Sequence, residues 1–194
     1  MAANLLTAVR MLLAAGFVIT VAIAGTDPIG LVPYIFLWVF GLPEELTDLF
    51  DGYVARKTGT VSRFGGIFDP MSDSLSRLAI YFAMALAGWV HIALPLFMAG
   101  RDIVVAYTRI VNALTGGKTN ARISGKIKGL SQSLGIPAIG TLALLSADDF
   151  GGSVAIARHI TAGLIAAVTF WSLTDYLRQT WPNIRKLASE KPTS

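Results

Sequence analysis

Apolar runs of bilayer-spanning length, broken by short connections of alternating charge, restrict this chain to a helical membrane fold. Hydrophobic residues make up 54% of the 194 residues and charged residues only 14%, against about 25% charged in an ordinary soluble domain. A spanning helix needs roughly 20 mostly apolar residues. The sequence therefore predicts an all-α integral membrane protein with six transmembrane helices, at 5–25, 30–56, 66–89, 92–115, 124–146 and 153–178. The connections at 26–29, 90–91 and 147–152 hold no Lys or Arg. The others carry Arg56, Lys57 and Arg63, then Lys118, Arg122, Lys126 and Lys128, and the tail adds Arg178, Arg185, Lys186 and Lys191. Basic connections stay on the cytoplasmic side, so both termini are expected there. The net charge of +4 then suits anionic lipids at that face rather than nucleic acid. Cysteine is absent, which excludes disulfides and thiolate metal sites.

One domain over 1–186 is expected, followed by a flexible tail at 187–194. Ala22-Ile23-Ala24 offers a small-residue cleavage site, but Arg10 lies well inside the first apolar run, so the segment reads as a retained span. Glycine and proline (Gly25, Pro28, Gly116, Gly117, Gly151, Gly152) punctuate span ends. His91 and His159 fall far from the acidic cluster described next and are expected at an interface.

Residues 48–73 read DLFDGYVARKTGTVSRFGGIFDPMSD. As a pattern this is D-x2-D-G-x2-A-R-x8-G-x3-D-x3-D, filled by Asp48, Asp51, Gly52, Ala55, Arg56, Gly65, Asp69 and Asp73. Eight such positions should coincide by chance in roughly one sequence in 10^8. Spacings of three and four put each aspartate pair on one helical face. Four carboxylates near hydrocarbon repel one another, and each costs a few kcal/mol there. Metal cations hold such a cluster ionised, and all-oxygen ligation favours Mg2+ or Mn2+. Two ions can clamp a phosphoryl group and lower the barrier to its displacement. Salt bridges to Arg56, Arg63 and Arg77 are the plainer alternative, although they demand no regular spacing.

This motif resembles that of the CDP-alcohol phosphatidyltransferases, and the resemblance extends over nearly the whole chain. It implies a six-helix bundle with a cytoplasmic cavity, commonly homodimeric. The implied reaction transfers a phosphatidyl group from CDP-diacylglycerol to an alcohol, with release of CMP. In that frame Asp48, Asp51, Asp69 and Asp73 hold two metal ions, and Asp73 is the general base. Gly52, Arg56 and Ser62 line the CDP-lipid site, and Ala55 leaves room for base or ribose. Asn4-Leu5-Leu6-Thr7-Ala8-Val9-Arg10 resembles the family's N-x-L-T-x-x-R opening beside the pyrophosphate. A helix start with a snorkelling arginine is the alternative there.

Arg109, Arg122 and Lys126 are candidates for binding a phosphorylated acceptor, with Lys128 suited equally to topology alone. Arg101 and Asp102 sit deeper and are expected to form an intramembrane ion pair. Asp69-Pro70, the arginines of the fourth span and VTFWSLTDYLRQ resemble the phosphatidylglycerophosphate-forming members. Those usually carry lysine after the last motif aspartate, where this chain has Ser74, so inositol phosphate, serine or another alcohol also remains open. Glu44 and Glu45 have no assigned role. A membrane scaffold or transporter of similar topology is the alternative of another class, but neither needs adjacent hard-metal sites.

Overall fold

The computed structural model describes residues 11–12, 14–19, 21, 65–117, 122–147 and 151–189. Four helices follow one another: α1 (Gly65–Leu86), α2 (Ala93–Leu114), α3 (Ile123–Ala147) and α4 (Gly151–Ser189). The described residues within 11–21 are also helical, and none of the described residues forms a strand. The helices coincide closely with the segments predicted at 66–89, 92–115 and 124–146, while α4 continues well past 178 to Ser189. The predicted segment 30–56 and most of 5–25 lie outside the described residues.

Local chemistry sets the helix ends. After α1, Trp89 N–H donates to the Met84 carbonyl at 2.9 Å and Gly88 N–H to Ala85 at 3.1 Å. That is a Schellman cap, and it requires the left-handed backbone that Gly88 adopts at φ +74°. The same device closes α2, where Gly116 has φ +72° and Gly117 N–H reaches the Asn112 carbonyl at 2.7 Å. At the start of α2 the His91 ring accepts from Ala93 N–H at 3.2 Å. His91 and His159 are both exposed.

α3 and α4 share the most extensive contact, α2 also packs on α4, and α1 touches α2 and α3. Ala14, Phe17 and Val21 join Tyr81, Met84, Met98, Ile136, Ile139 and Ile165 in one apolar core. At Gly135 the packing is tight: a Cβ there would overlap Ile165 Cδ1 and lie 2.5 Å from the Tyr81 hydroxyl. That hydroxyl donates to the Gln132 carbonyl at 2.7 Å.

Large apolar side chains also point outward, among them Leu96, Ile103, Ile110, Leu114, Ile160 and Leu164. Among the described residues one helix, Gly152–Ser189, is long and apolar enough to cross a membrane. The other helices carry internal charges (Asp73 and Arg77; Arg101, Asp102 and Arg109; Lys126 and Lys128), which lower their hydropathy. With 39 residues, α4 is about 58 Å long, roughly twice the hydrocarbon thickness of a bilayer.

Candidate functional site

Where α2, α3 and α4 converge, the packing changes from apolar to ionic. Arg101 and Lys128 are buried and share one carboxylate: Asp102 Oδ1 lies 2.8 Å from Arg101 Nη1 and 3.0 Å from Lys128 Nζ. The expected Arg101–Asp102 pair is present. Lys128 is its third member rather than a surface charge, with a side chain only 3% exposed. Burying three charges is tolerable only when each finds partners, and Arg101 Nη2 also donates to Ser172 on α4 at 2.5 Å.

Next to this network a cavity of about 580 Å³ opens, lined by Arg109, Asn112, Arg122, Asp175, Tyr176 and Gln179 among others. Arg122 enters just before α3 and is held by Asp175, with Nε 2.7 Å from Oδ2 and Nη2 3.2 Å from Oδ1. Ser124 Oγ donates to the same Oδ2 at 2.5 Å, and Arg122 Nη1 donates to Gln179 Oε1. On the other wall Asn112 bonds Thr180 at 3.3 Å and accepts from Asn183 at 2.8 Å, which ties α2 to α4. Arg109 differs from its neighbours. No carboxylate pairs with it among the described residues; its buried Nε has no hydrogen-bond partner either, a state it shares with Arg101 Nε. A partly buried guanidinium with unspent donors is chemistry suited to an oxyanion such as phosphate.

Of the predicted acceptor contacts, Arg109 and Arg122 thus meet in one cavity, while Lys126 is exposed and outside its lining. Asp73 is half-buried on α1, with Arg77 one turn on and donating to Ser133 at 3.5 Å. Position 69 lies one turn earlier in the same helix. Asp48, Asp51, Gly52, Ala55, Arg56, Ser62 and the Asn4, Leu5, Leu6 and Thr7 stretch lie outside the described residues, as does the Asp69 side chain. Among the described residues no group of three or more acids or histidines is placed to hold a metal.

Residues that the sequence predictions gave no site role are those on α4: Ser172, Asp175, Tyr176 and Gln179, noted only within the stretch VTFWSLTDYLRQ, and Thr180 and Asn183 beyond it. Their spacing of three and four was the available signal, because it lays a polar stripe along one face of an otherwise apolar helix.

The family model for CDP-alcohol phosphatidyltransferase matches residues 1–176. Three relatives carry the name CDP-diacylglycerol–glycerol-3-phosphate 3-phosphatidyltransferase. The protein of Yersinia pestis (strain Pestoides F) is 29% identical over 147 residues, 71% of this chain and 74% of its own. That of Treponema pallidum (strain Nichols) is 27% identical over 149 residues, 73% and 68% of the two chains. That of Sodalis glossinidius (strain morsitans) is 31% identical over 137 residues, 68% and 71% of the two chains. With the aspartate motif complete and the match running from the first residue into α4, the chain belongs to the CDP-alcohol phosphatidyltransferase family.

Proposed function

We propose that the protein transfers the phosphatidyl group of CDP-diacylglycerol to glycerol 3-phosphate, giving phosphatidylglycerophosphate and CMP. The observation that carries the acceptor assignment is the cavity lined by Arg109 and Arg122, where Arg109 has no carboxylate partner among the described residues. A phosphate monoester satisfies that guanidinium, and the cavity's amides and hydroxyls suit a short polyol. Relatives named for glycerol 3-phosphate favour the same acceptor over inositol phosphate or serine.

In this mechanism the acceptor hydroxyl gives its proton to Asp73 as its oxygen attacks the β-phosphorus. The bond from that phosphorus to the bridging oxygen breaks, and CMP leaves with the electron pair. Arg109 and Arg122 hold the acceptor phosphate and so aim the hydroxyl. Asn4, Thr7, Gly52, Arg56 and Ser62 bind the CDP moiety, with Leu5, Leu6 and Ala55 shaping the space beside it. Asp48, Asp51, Asp69 and Asp73 form an all-carboxylate donor set, the chemistry that suits two Mg2+ or Mn2+ ions. When bound, such ions neutralise phosphate charge and stabilise the leaving group.

The chain spans the membrane six times with its aspartates at the cytoplasmic face, and it works as a homodimer. Its outward apolar side chains and basic connections support that placement. The test is CMP release by purified protein with glycerol 3-phosphate, inositol phosphate and serine offered separately. Turnover is expected with glycerol 3-phosphate, lost on chelation and restored by Mg2+ or Mn2+. Turnover with serine alone would replace this acceptor.

A further inference from the structure

Tyr176 lies at the centre of the cationic cluster and is almost wholly buried, at 3% exposure. Three guanidinium groups surround its ring: Arg101 at 5.3 Å, Arg122 at 5.8 Å and Arg109 at 5.9 Å from the centroid. Its hydroxyl accepts from the Arg122 backbone N–H at 3.1 Å and from Arg109 Nη2 at 3.4 Å. The ring face attracts each cation, which offsets part of their mutual repulsion. Two of the three arginines are also neutralised by carboxylates: Arg101 by Asp102 and Arg122 by Asp175. Among the described residues, Tyr176 is the side chain that meets the Arg109 guanidinium through both a hydrogen bond and its ring.

The backbone opposite is cut to fit this side chain. A Cβ on Gly125, at the start of α3, would lie 2.9 Å from the Tyr176 hydroxyl oxygen and 3.4 Å from its Cε2. Any larger residue there would displace the hydroxyl from between Arg109 and Arg122. Tyr176 therefore joins α2, the entry to α3 and α4 at one atom.

We propose that Tyr176 is a positioning residue for the acceptor phosphate, its ring and hydroxyl setting the separation and aim of Arg109 and Arg122. The proposal rests on the acceptor assignment above and extends it to a side chain that need not touch substrate. Tyr176 fixes the arginines before the anion arrives, so less of the binding free energy is lost in ordering them.

The test is steady-state kinetics of Tyr176→Phe, Tyr176→Leu and Gly125→Ala, with each substrate varied in turn. Tyr176→Phe keeps the ring and the volume but loses the hydroxyl, and should raise the acceptor KM about fivefold. Tyr176→Leu loses both and should raise it more than about tenfold. Gly125→Ala should resemble Tyr176→Phe. The CDP-diacylglycerol KM should stay within about twofold of wild type, on the strength of the split between acceptor and CDP sites, while kcat falls along with the aim of the acceptor hydroxyl. Equal changes in both KM values would mean that Tyr176 only supports the fold, and would overturn the proposal.

A second measurement separates this idea from the acceptor assignment. Inorganic phosphate is titrated against the detergent-purified wild type and variants, with thermal unfolding as the readout. Wild type should be stabilised by phosphate, with the midpoint shifted upward in Tyr176→Phe and further in Tyr176→Leu, even if glycerol 3-phosphate proves not to be the acceptor. Unaltered phosphate midpoints in both tyrosine variants, or no phosphate effect on wild type, would overturn it. Repeating the titration with phosphatidylglycerol in the micelles distinguishes the two sources of phosphate. Unchanged midpoints support a soluble acceptor, and competition by the lipid would assign the arginines to a headgroup instead.

Discussion

Around Met84, Met98, Ile136 and Ile139 the helices meet through fully buried apolar side chains. Around Tyr176 they meet through arginines, a lysine, two aspartates and a file of amides and hydroxyls. Helices α2 and α3 contribute to both regions at different positions along their length, with α1 adding Met84 to the first and α4 adding Tyr176 to the second. The apolar region can close up because its side chains have no directional demands. The polar region cannot, since every buried charge there needs a partner at hydrogen-bond distance, and the geometry that satisfies them leaves a cavity. The apolar region thus serves stability alone, whereas the polar region serves stability through its ion network and binding through its cavity, and substitutions in the two regions should fail in different ways.

The largest effect should come from Asp73→Asn, which keeps the side chain's size and removes its basicity. Loss of a general base costs about 10²–10⁴-fold in rate, with thermal stability near that of wild type. Near-normal turnover in this variant would move the base elsewhere. Next, Asp102→Ala strands Arg101 and Lys128 without their shared carboxylate. Breaking a buried ion network in this way destabilises by about 3–5 kcal/mol, read as a lowered unfolding midpoint in detergent. A stable Asp102→Ala protein would show that the polar region contributes little to folding.

Arg109→Ala removes the guanidinium that has no carboxylate partner among the described residues. A charged hydrogen bond is worth about 1.5–3 kcal/mol, so the acceptor KM should rise about ten- to a hundredfold while the CDP-lipid KM barely moves. Lys126→Ala is the contrast, since Lys126 is exposed and outside the cavity lining. Equal damage from both would point to bulk positive charge rather than a defined contact. The smallest effect belongs to the apolar region. Gly135→Ala overpacks the site against Ile165 and Tyr81, for about 1–3 kcal/mol of stability. Its KM values should be unchanged at a temperature where it remains folded.

Much of the helical framework was legible from periodicity and punctuation. The segments from 66 to 146 were readable because Gly116, Gly117 and the basic residues after them interrupt the apolar runs, while the cap at Gly88 was not legible and the span was carried to 89. The length of α4 was not, since its last turns after 178 are polar and charged. Arg101 with Asp102 was legible as two opposite charges side by side in an apolar run. Lys128 was not, because a lysine near a predicted cytoplasmic end looks the same whether it turns inward or outward.

The residue order alone determined the aspartate spacing, the apolar content and the family, since each depends on local sequence and needs no packing partner. Only the tertiary structure decided which basic residues do what. Lys126 and Lys128 stand two apart on α3, so they project in different directions. Only the packing of α3 against α2 decides that Lys128 reaches Asp102 while Lys126 is exposed. Arg122 finds Asp175, and Tyr176 gathers three arginines, across more than fifty residues of chain. Such pairings depend on how each helix is rotated about its axis in the bundle, and that rotation is set by burial of the opposite apolar faces.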